Sequence, residues 1–179
     1  MCLSGLIRQH RRKQNRRLCL PSFEITIRSR LRDTSRRVRD SLPATIIIID
    51  DPPAAETAAG FLWHEVAPDV VCFMRPNAGA KALAVWRYRL AVVEVVMPGC
   101  SGIKLAEVAV GRGTPVLLMT GHPQAVKMLR EHGVLVLPKP FEPATLIAAA
   151  REVIDAGQGG CEWMKAALAK MRETNPKSR

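Results

Sequence analysis

Five polar residues follow or end short apolar runs at regular intervals in the middle of the chain. They are Asp50, Asp51, Glu94, Thr120 and Lys139. In an open sheet of parallel strands, ligands bind beyond the carboxyl ends of the strands, and polar side chains that follow each strand meet at that edge. The spacing therefore predicts one polar pocket assembled from residues that are distant in sequence.

Three of these five residues carry carboxylates. Carboxylates held in one pocket repel one another, and a cation that prefers oxygen ligands, such as Mg²⁺, relieves that repulsion. Lys139 would neutralise the remaining charge. The hydroxyl of Thr120 could donate to an anionic oxygen beside the cation, which would suit a phosphoryl group. The set predicts a site for a cation and a phosphoryl group.

Each of these residues also has an ordinary structural interpretation when it is taken alone. Asp50 and Asp51, which precede two prolines, resemble a helix cap more than a metal site. Thr120 resembles a turn residue before a glycine, and an isolated Lys139 would be a solvated lysine. Only the combination at successive strand ends favours the functional interpretation.

The elements that must position these residues are visible from Thr45 onward. Short β-branched runs alternate with alanine-rich stretches, a pattern typical of βαβ units, and the unbroken run Ile46–Ile49 indicates a strand covered on both faces. We expect an α/β fold, a doubly wound (βα)5 parallel sheet in a flavodoxin-like three-layer sandwich. The predicted strands lie near Thr45–Ile49, Val70–Phe73, Leu90–Val95, Pro115–Met119 and Val134–Leu137. The predicted helices lie near Ala54–His64, Ala78–Trp86, Gly102–Val110, Pro123–Glu131 and Pro143–Ala156.

The order of these motifs resembles the response-regulator receiver family, which is CheY-like, over about 113 residues. The motifs are Asp50-Asp51, Glu94-x-x-Met97-Pro98-Gly99, Thr120-Gly121 and Lys139-Pro140-Phe141. The resemblance implies two-component or phosphorelay signal transduction, a sensor histidine kinase or phosphorelay protein as partner, and no enzymatic activity. It also implies that Mg²⁺ binds Asp50, Asp51, the phosphoacceptor position Glu94 and the Val96 carbonyl. Thr120 and Lys139 would contact the phosphoryl group, and the Lys139–Pro140 bond would be cis.

Two positions depart from the family pattern. The phosphoacceptor is an aspartate in the family, whereas this chain has Glu94, and an aromatic switch residue is replaced by Val136. The added methylene pushes the carboxylate of Glu94 towards Thr120 and Lys139, where it would imitate phosphoaspartate. We therefore expect an atypical or phosphomimic receiver.

The formal net charge of +11 is concentrated near the start of the chain. Residues 1–42 contain 12 Arg and Lys against 3 Asp and Glu, whereas residues 43–179 contain 15 against 13. This composition favours a disordered arm, although the alternation in Phe23–Ile27 leaves a short strand open. Nucleic acid or another anionic partner is a candidate for the arm, because neutralising phosphates drives nonspecific binding.

The expected organisation is an arm at 1–42, a receiver domain at 43–157 and a short tail at 158–179. A helix over Cys161–Arg172 would carry Trp163, Met164, Ala167, Leu168 and Met171 on one side. So short a tail leaves no room for a DNA-binding output module, which favours a stand-alone receiver that acts through protein contacts.

The remaining composition points to a cytoplasmic protein without membrane insertion. The five cysteines are widely spaced and form no metal-binding pattern, and no apolar stretch approaches the roughly 20 residues that span a bilayer. Two alternatives stay open: a nucleic-acid-associated protein that uses its arginine-rich arm, and a degenerate receiver that no longer signals.

Overall fold

The computed structural model describes residues 26–28 and 45–174, which form a sheet between two layers of helices. The strands are β1 (Thr26–Arg28), β2 (Thr45–Ile49), β3 (Asp69–Phe73), β4 (Leu90–Glu94), β5 (Val96–Met97), β6 (Cys100–Ser101), β7 (Val116–Thr120) and β8 (Val136–Pro138). The helices are α1 (Pro52–Glu65), α2 (Pro76–Val85), α3 (Gly102–Gly111), α4 (Pro123–Glu131) and α5 (Pro143–Thr174).

The main sheet has the strand order β1-β3-β2-β4-β7-β8. Strands β3, β2, β4, β7 and β8 are parallel to one another, and β1 joins the edge of the sheet antiparallel to β3. The short strands β5 and β6 form a separate hairpin between β4 and α3. The predicted α/β fold with five parallel strands is confirmed.

The isoleucine run of β2 shows why both faces of the sheet need helices. Ile46 and Ile48 are buried in the cluster that contains α1 and the first part of α5, whereas Ile47 and Ile49 are buried in the cluster that contains α2, α3 and α4. All four side chains are fully buried. Because successive side chains of a strand point to opposite faces, an unbroken apolar run requires apolar cover on each side.

The structure describes three residues of the predicted arm as the edge strand β1. Thr26–Arg28 pair with Val70–Cys72 of β3, because the edge of the sheet presents unpaired backbone groups that an extended segment can satisfy. This strand overlaps Phe23–Ile27, the alternating segment that left a short strand open, and the disordered arm stays a prediction. All other residues of 1–42 lie outside the described part of the chain.

Helix α5 is longer than predicted and is broken at Gly157, which has φ of +51° and ψ of −129°. A side chain strongly disfavours this backbone conformation, so the glycine allows the chain to change direction there. The segment beyond it, residues 158–174, is the tail limb. Cys161 of this limb is buried, and four further buried residues join the α2–α4 side of the core, not the α1 side: Met164, Ala167, Leu168 and Met171.

The predicted tail helix is therefore present, and its docking site is now identified. Trp163, which was expected on the apolar face, is 51% exposed and lies beside Gly133 at the edge of the core. No helix within residues 45–174 is long and apolar enough to cross a bilayer.

Candidate functional site

The predicted pocket lies at the carboxyl ends of three parallel strands. Asp50 follows β2, Glu94 ends β4 and Lys139 follows β8. The ammonium nitrogen Nζ of Lys139 lies 2.6 Å from Oδ2 of Asp50 and 2.7 Å from Oε2 of Glu94. One lysine therefore bridges the two carboxylates, and the strand ends bring together residues that the sequence separates widely.

The Asp50 side chain is fully buried. Its Oδ2 accepts the hydrogen bond from Lys139, and its Oδ1 accepts one from the backbone N–H of Asp51 at 2.8 Å. Burial raises the pKa of Asp50 above its ordinary value, and the hydrogen bonds and charge of Lys139 oppose that shift. The buried anion therefore relies on the lysine.

Lys139 faces the opposite balance. Burial alone would lower the pKa of its ammonium group, but the hydrogen bonds and negative charges of Asp50 and Glu94 outweigh burial and raise that pKa. The lysine side chain is 21% exposed, so one flank of the pocket meets solvent. The ammonium group is held in its charged form by two acceptors.

Glu94 fills the position that the family assigns to the phosphoacceptor. Its side chain is only 9% exposed. Oε2 accepts from Lys139, while Oε1 accepts a hydrogen bond from the backbone N–H of Val96 at 3.0 Å. The carboxylate is therefore fixed at both oxygens, which makes Glu94 part of a preorganised charged network.

Asp51 does not join this network. It is exposed, it is the N-cap of α1, and its Oδ1 accepts a hydrogen bond from the backbone N–H of Ala54 at 3.2 Å. The prolines at the first helical positions lack an N–H, so a cap that reaches Ala54 satisfies the first free donor. In this structure Asp51 therefore serves as a helix cap.

Thr120 ends β7 and is fully buried. Its hydroxyl oxygen accepts a hydrogen bond from the backbone N–H of His122 at 3.3 Å. Its carbonyl oxygen accepts one from the backbone N–H of Lys139 at 2.8 Å, which links the ends of β7 and β8. The Lys139–Pro140 bond is cis, as the resemblance implied. Thr120 therefore helps to set the backbone from which Lys139 extends.

These contacts bear on the predicted Mg²⁺ site. Within the described ranges, no group of three or more acidic, histidine or cysteine side chains is placed to hold a metal ion. The four oxygens of Asp50 and Glu94 already accept hydrogen bonds, and Asp51 caps a helix. The Lys139 ammonium group lies between Asp50 and Glu94 in this structure, and Mg²⁺ binding by these residues stays a prediction.

Sequence reasoning missed Gly102, the first residue of α3. Its N–H donates to the carbonyl oxygen of Val95 at 2.9 Å, and a Cβ at this position would lie 2.0 Å from the carbonyl oxygen of Glu94. Any side chain would therefore push α3 away from the strand end that carries Glu94. The sequence feature that could have identified Gly102 is a glycine in the first turn of a predicted helix, because glycine is a poor helix former and its presence there needs a packing reason.

The other departure from the family pattern is also visible in the structure. Val136 begins β8 and is 4% exposed within the core on the α2–α4 side. A buried β-branched valine is restricted at χ1 and has no ring that could move between the core and solvent. The aromatic switch position is thus a core position in this chain.

Comparison with known proteins agrees with this architecture. A model of the response regulator receiver domain matches residues 46–151, which is more than half of the chain. The transcriptional regulatory protein FixJ of Bradyrhizobium diazoefficiens is 33% identical over 114 residues, which cover 61% of this chain and 56% of that protein. FixJ of Azorhizobium caulinodans is 32% identical over 138 residues, which cover 73% of this chain and 64% of that protein. The chain thus spans less than two thirds of the length of these relatives.

Solved structures support the fold independently. A response regulator receiver protein from Sinorhizobium medicae has a TM-score of 0.56 with this chain at 22% identity, covering 64% of this chain and 97% of that one. A CheY-like receiver domain from Methanospirillum hungatei gives a TM-score of 0.54 at 22% identity, covering 63% and 94%. The strand order, the strand-end residues and the family match lead to one conclusion: this chain belongs to the response regulator receiver domain family.

Proposed function

We propose that this receiver is held in one signalling state by Glu94 and acts through protein contacts in a two-component or phosphorelay pathway. The observation that supports the proposal is the contact of 2.7 Å between Glu94 and Lys139. The carboxyl group of Glu94 stands at the phosphoacceptor position and contacts the lysine that the family resemblance assigns to the phosphoryl group.

The glutamate resembles a phosphorylated aspartate only in part. A phosphoryl group adds about −1.5 to −2 charges and three acceptor oxygens, whereas a glutamate supplies one negative charge and two oxygens. Both oxygens of Glu94 are already engaged, by Lys139 and by the N–H of Val96. We infer a fixed state with weaker charge than a phosphorylated receiver, and no ordinary phosphotransfer to this position.

Receiver domains as a family interact with histidine kinases or phosphotransfer proteins. For this chain we propose a sensor histidine kinase or phosphorelay protein as the partner and the cytoplasm as the location. The names of the two relatives describe transcriptional regulators. Because the chain spans only part of their length, transcriptional output is not part of the proposal for this chain.

Residues 1–42 support one alternative proposal, binding to nucleic acid or another anionic partner, because they carry 12 basic residues against 3 acidic ones. Affinity for a DNA duplex would then fall steeply with salt. Deletion of residues 1–42 would remove that binding. Binding unchanged by the deletion would exclude the arm as the contact.

Phosphorylation of the full chain tests the main proposal. The natural protein and the variant Glu94→Asp are incubated with Mg²⁺ and a small acyl phosphate, and covalent phosphate is measured by mass spectrometry. We expect phosphate on the variant only, since the shorter carboxylate is the acceptor that the family uses. Glu131→Asp is a matched control, because it removes the same methylene from an exposed glutamate of α4.

The outcomes separate the alternatives. Stable phosphate at Glu94 in the natural protein would overturn the fixed-state proposal. Phosphate on neither protein, with both cooperatively folded, would indicate a degenerate receiver whose pocket no longer supports transfer.

A further inference from the structure

Large apolar side chains are exposed unevenly over the molecule. Within the described residues five are exposed, and three of these lie at the carboxyl ends of α2 and α3. They are Val85, Trp86 and Val108, with exposed fractions of 58%, 41% and 36%. Exposed apolar side chains that occur singly need no explanation, but a group of them marks a surface for contact with a partner.

The two helix ends that carry these residues are tied together. A guanidinium nitrogen of Arg112 donates to the carbonyl oxygen of Val85 at 2.9 Å, and Nε of Arg87 donates to the carbonyl oxygen of Gly113 at 3.0 Å. These reciprocal hydrogen bonds satisfy carbonyl groups at the ends of α2 and α3. The surface is therefore held in place before any partner binds.

Basic side chains flank the apolar ones. Lys81 lies one turn before Val85, and Lys104 lies one turn before Val108, so each lysine shares a helix face with an exposed valine. We call this surface the α2–α3 patch. It consists of Lys81, Val85, Trp86, Arg87, Lys104, Val108 and Arg112.

No acidic side chain of this region offsets that charge. Residues 76–113 contain two acids, Glu94 and Glu107. Glu94 is buried against Lys139, and Glu107 is paired with Arg172 of the tail limb. The patch thus presents four cationic groups around a narrow apolar strip. Its tryptophan and arginines are also the residue types that contribute most to binding at protein interfaces.

We propose that the α2–α3 patch binds an acidic amphipathic segment of a partner protein. The apolar side of that segment would pack on Trp86 and the two valines, and its carboxylates would meet the lysines and arginines at either end. Peripheral membrane binding uses a wider apolar face than these three side chains provide. The patch residues are not among those that hydrogen-bond or ion-pair with Glu94 or Asp50, so this proposal does not depend on the state of that site.

Fluorescence anisotropy of a labelled peptide tests the proposal on the full chain. The probe is a helical peptide of about 18 residues with leucines on one face and glutamates elsewhere. A second peptide replaces each leucine with serine and keeps the charge. The basic segment 1–42 can attract both peptides, so the preference for the leucine peptide reports the patch. We expect that preference to fall at least about tenfold in Trp86→Ala and several-fold in Lys104→Glu.

Matched variants control for the loss of an exposed tryptophan or lysine elsewhere. Trp163→Ala removes a tryptophan that is 51% exposed, and Lys127→Glu reverses a lysine on α4 that is 79% exposed. Both are expected to keep the preference. Equal binding of the two peptides, or a preference that survives Trp86→Ala, would overturn the proposal. If Trp86→Ala weakened only binding to anionic vesicles, or only self-association of the protein, the assigned partner would be wrong.

Discussion

Replacement of Lys139 by methionine tests the central feature of the pocket, the single ammonium group between two carboxylates. Methionine keeps much of the length and apolar stem of lysine but has no charge. The variant would leave Asp50, whose side chain is fully buried, and Glu94, whose side chain is 9% exposed, without the lysine that both contact. Two acids would then share one pocket without a cation.

The expected loss of stability follows from these burial values. Removing one partner of a buried ion pair costs about 3–5 kcal/mol, because the other partner is left desolvated and uncompensated. Lys139 is 21% exposed, and water can screen the pocket from that side, so the lower end of this range applies. We expect the free energy of unfolding to fall by about 3 kcal/mol near neutral pH. In a domain of this size that corresponds to a fall in Tm of roughly 10 °C.

The loss should depend on pH. Burial already raises the pKa of Asp50 above its ordinary value, and without the opposing hydrogen bond and charge of Lys139 it would rise further in the folded variant. The folded variant would then bind more protons than the unfolded chain, so its stability relative to the natural protein would increase as the pH falls. The gap between the two proteins should therefore narrow as the pH is lowered from neutrality.

Urea unfolding followed by circular dichroism at several pH values measures this effect. Lys127→Met is the matched control, since Lys127 is 79% exposed and its contact with Glu131 is 3.9 Å. The control should change stability by less than about 0.5 kcal/mol. Millimolar Mg²⁺ should raise the Tm of Lys139→Met and leave the natural protein unchanged, because a divalent cation can replace the missing ammonium group. A loss below about 1 kcal/mol, with the same pH profile as the natural protein, would refute the argument.

Two further predictions concern the core. Burial raises the pKa of Tyr88 to about 12, whereas the ordinary value of a tyrosine is about 10. Between these two pH values the unfolded chain ionises at Tyr88 and the folded chain does not, so the folded state loses stability as the pH rises from about 10 to about 12. Urea unfolding should show that, between neutral pH and about pH 11, the free energy of unfolding falls by about 1.4 kcal/mol less in Tyr88→Phe than in the natural protein. Leu168→Ala should lower the free energy of unfolding by about 3 kcal/mol, because this leucine of the tail limb is 1% exposed in the core. A loss below about 0.5 kcal/mol would show that the limb does not pack there, and Ala169→Ser, on the exposed side, is its control.

The sequence predicted the sheet well because its signals are local. Ile46–Ile49 form one unbroken apolar run, and a run of that kind suits a strand with helices on both faces. The strand-end positions of Asp50, Glu94 and Lys139 followed from that sheet alone. Their convergence was therefore predictable without knowledge of any side-chain rotamer.

The sequence could not predict how the charges are shared within the pocket. Asp51 has the same side chain as Asp50, yet it caps α1, while Asp50 is buried against Lys139. The choice depends on the direction of the chain at the start of α1, where two prolines leave Ala54 as the first N–H to be capped. The packing of α1 against the sheet sets the direction of the chain at this point, and the residue types alone do not reveal it.

The path of the tail limb was hidden for a related reason. An amphipathic pattern identifies a helix and its apolar face, but it does not say which face of the domain that helix covers. The break at Gly157 places the limb on the α2–α4 side, where Met164 and Leu168 are buried. Arg172 of the limb pairs with Glu107 of α3. The same α3 begins at Gly102, in contact with the strand end that carries Glu94. Helix α3 therefore contacts both the strand end that carries Glu94 and the tail limb, an arrangement that the residue types alone do not reveal.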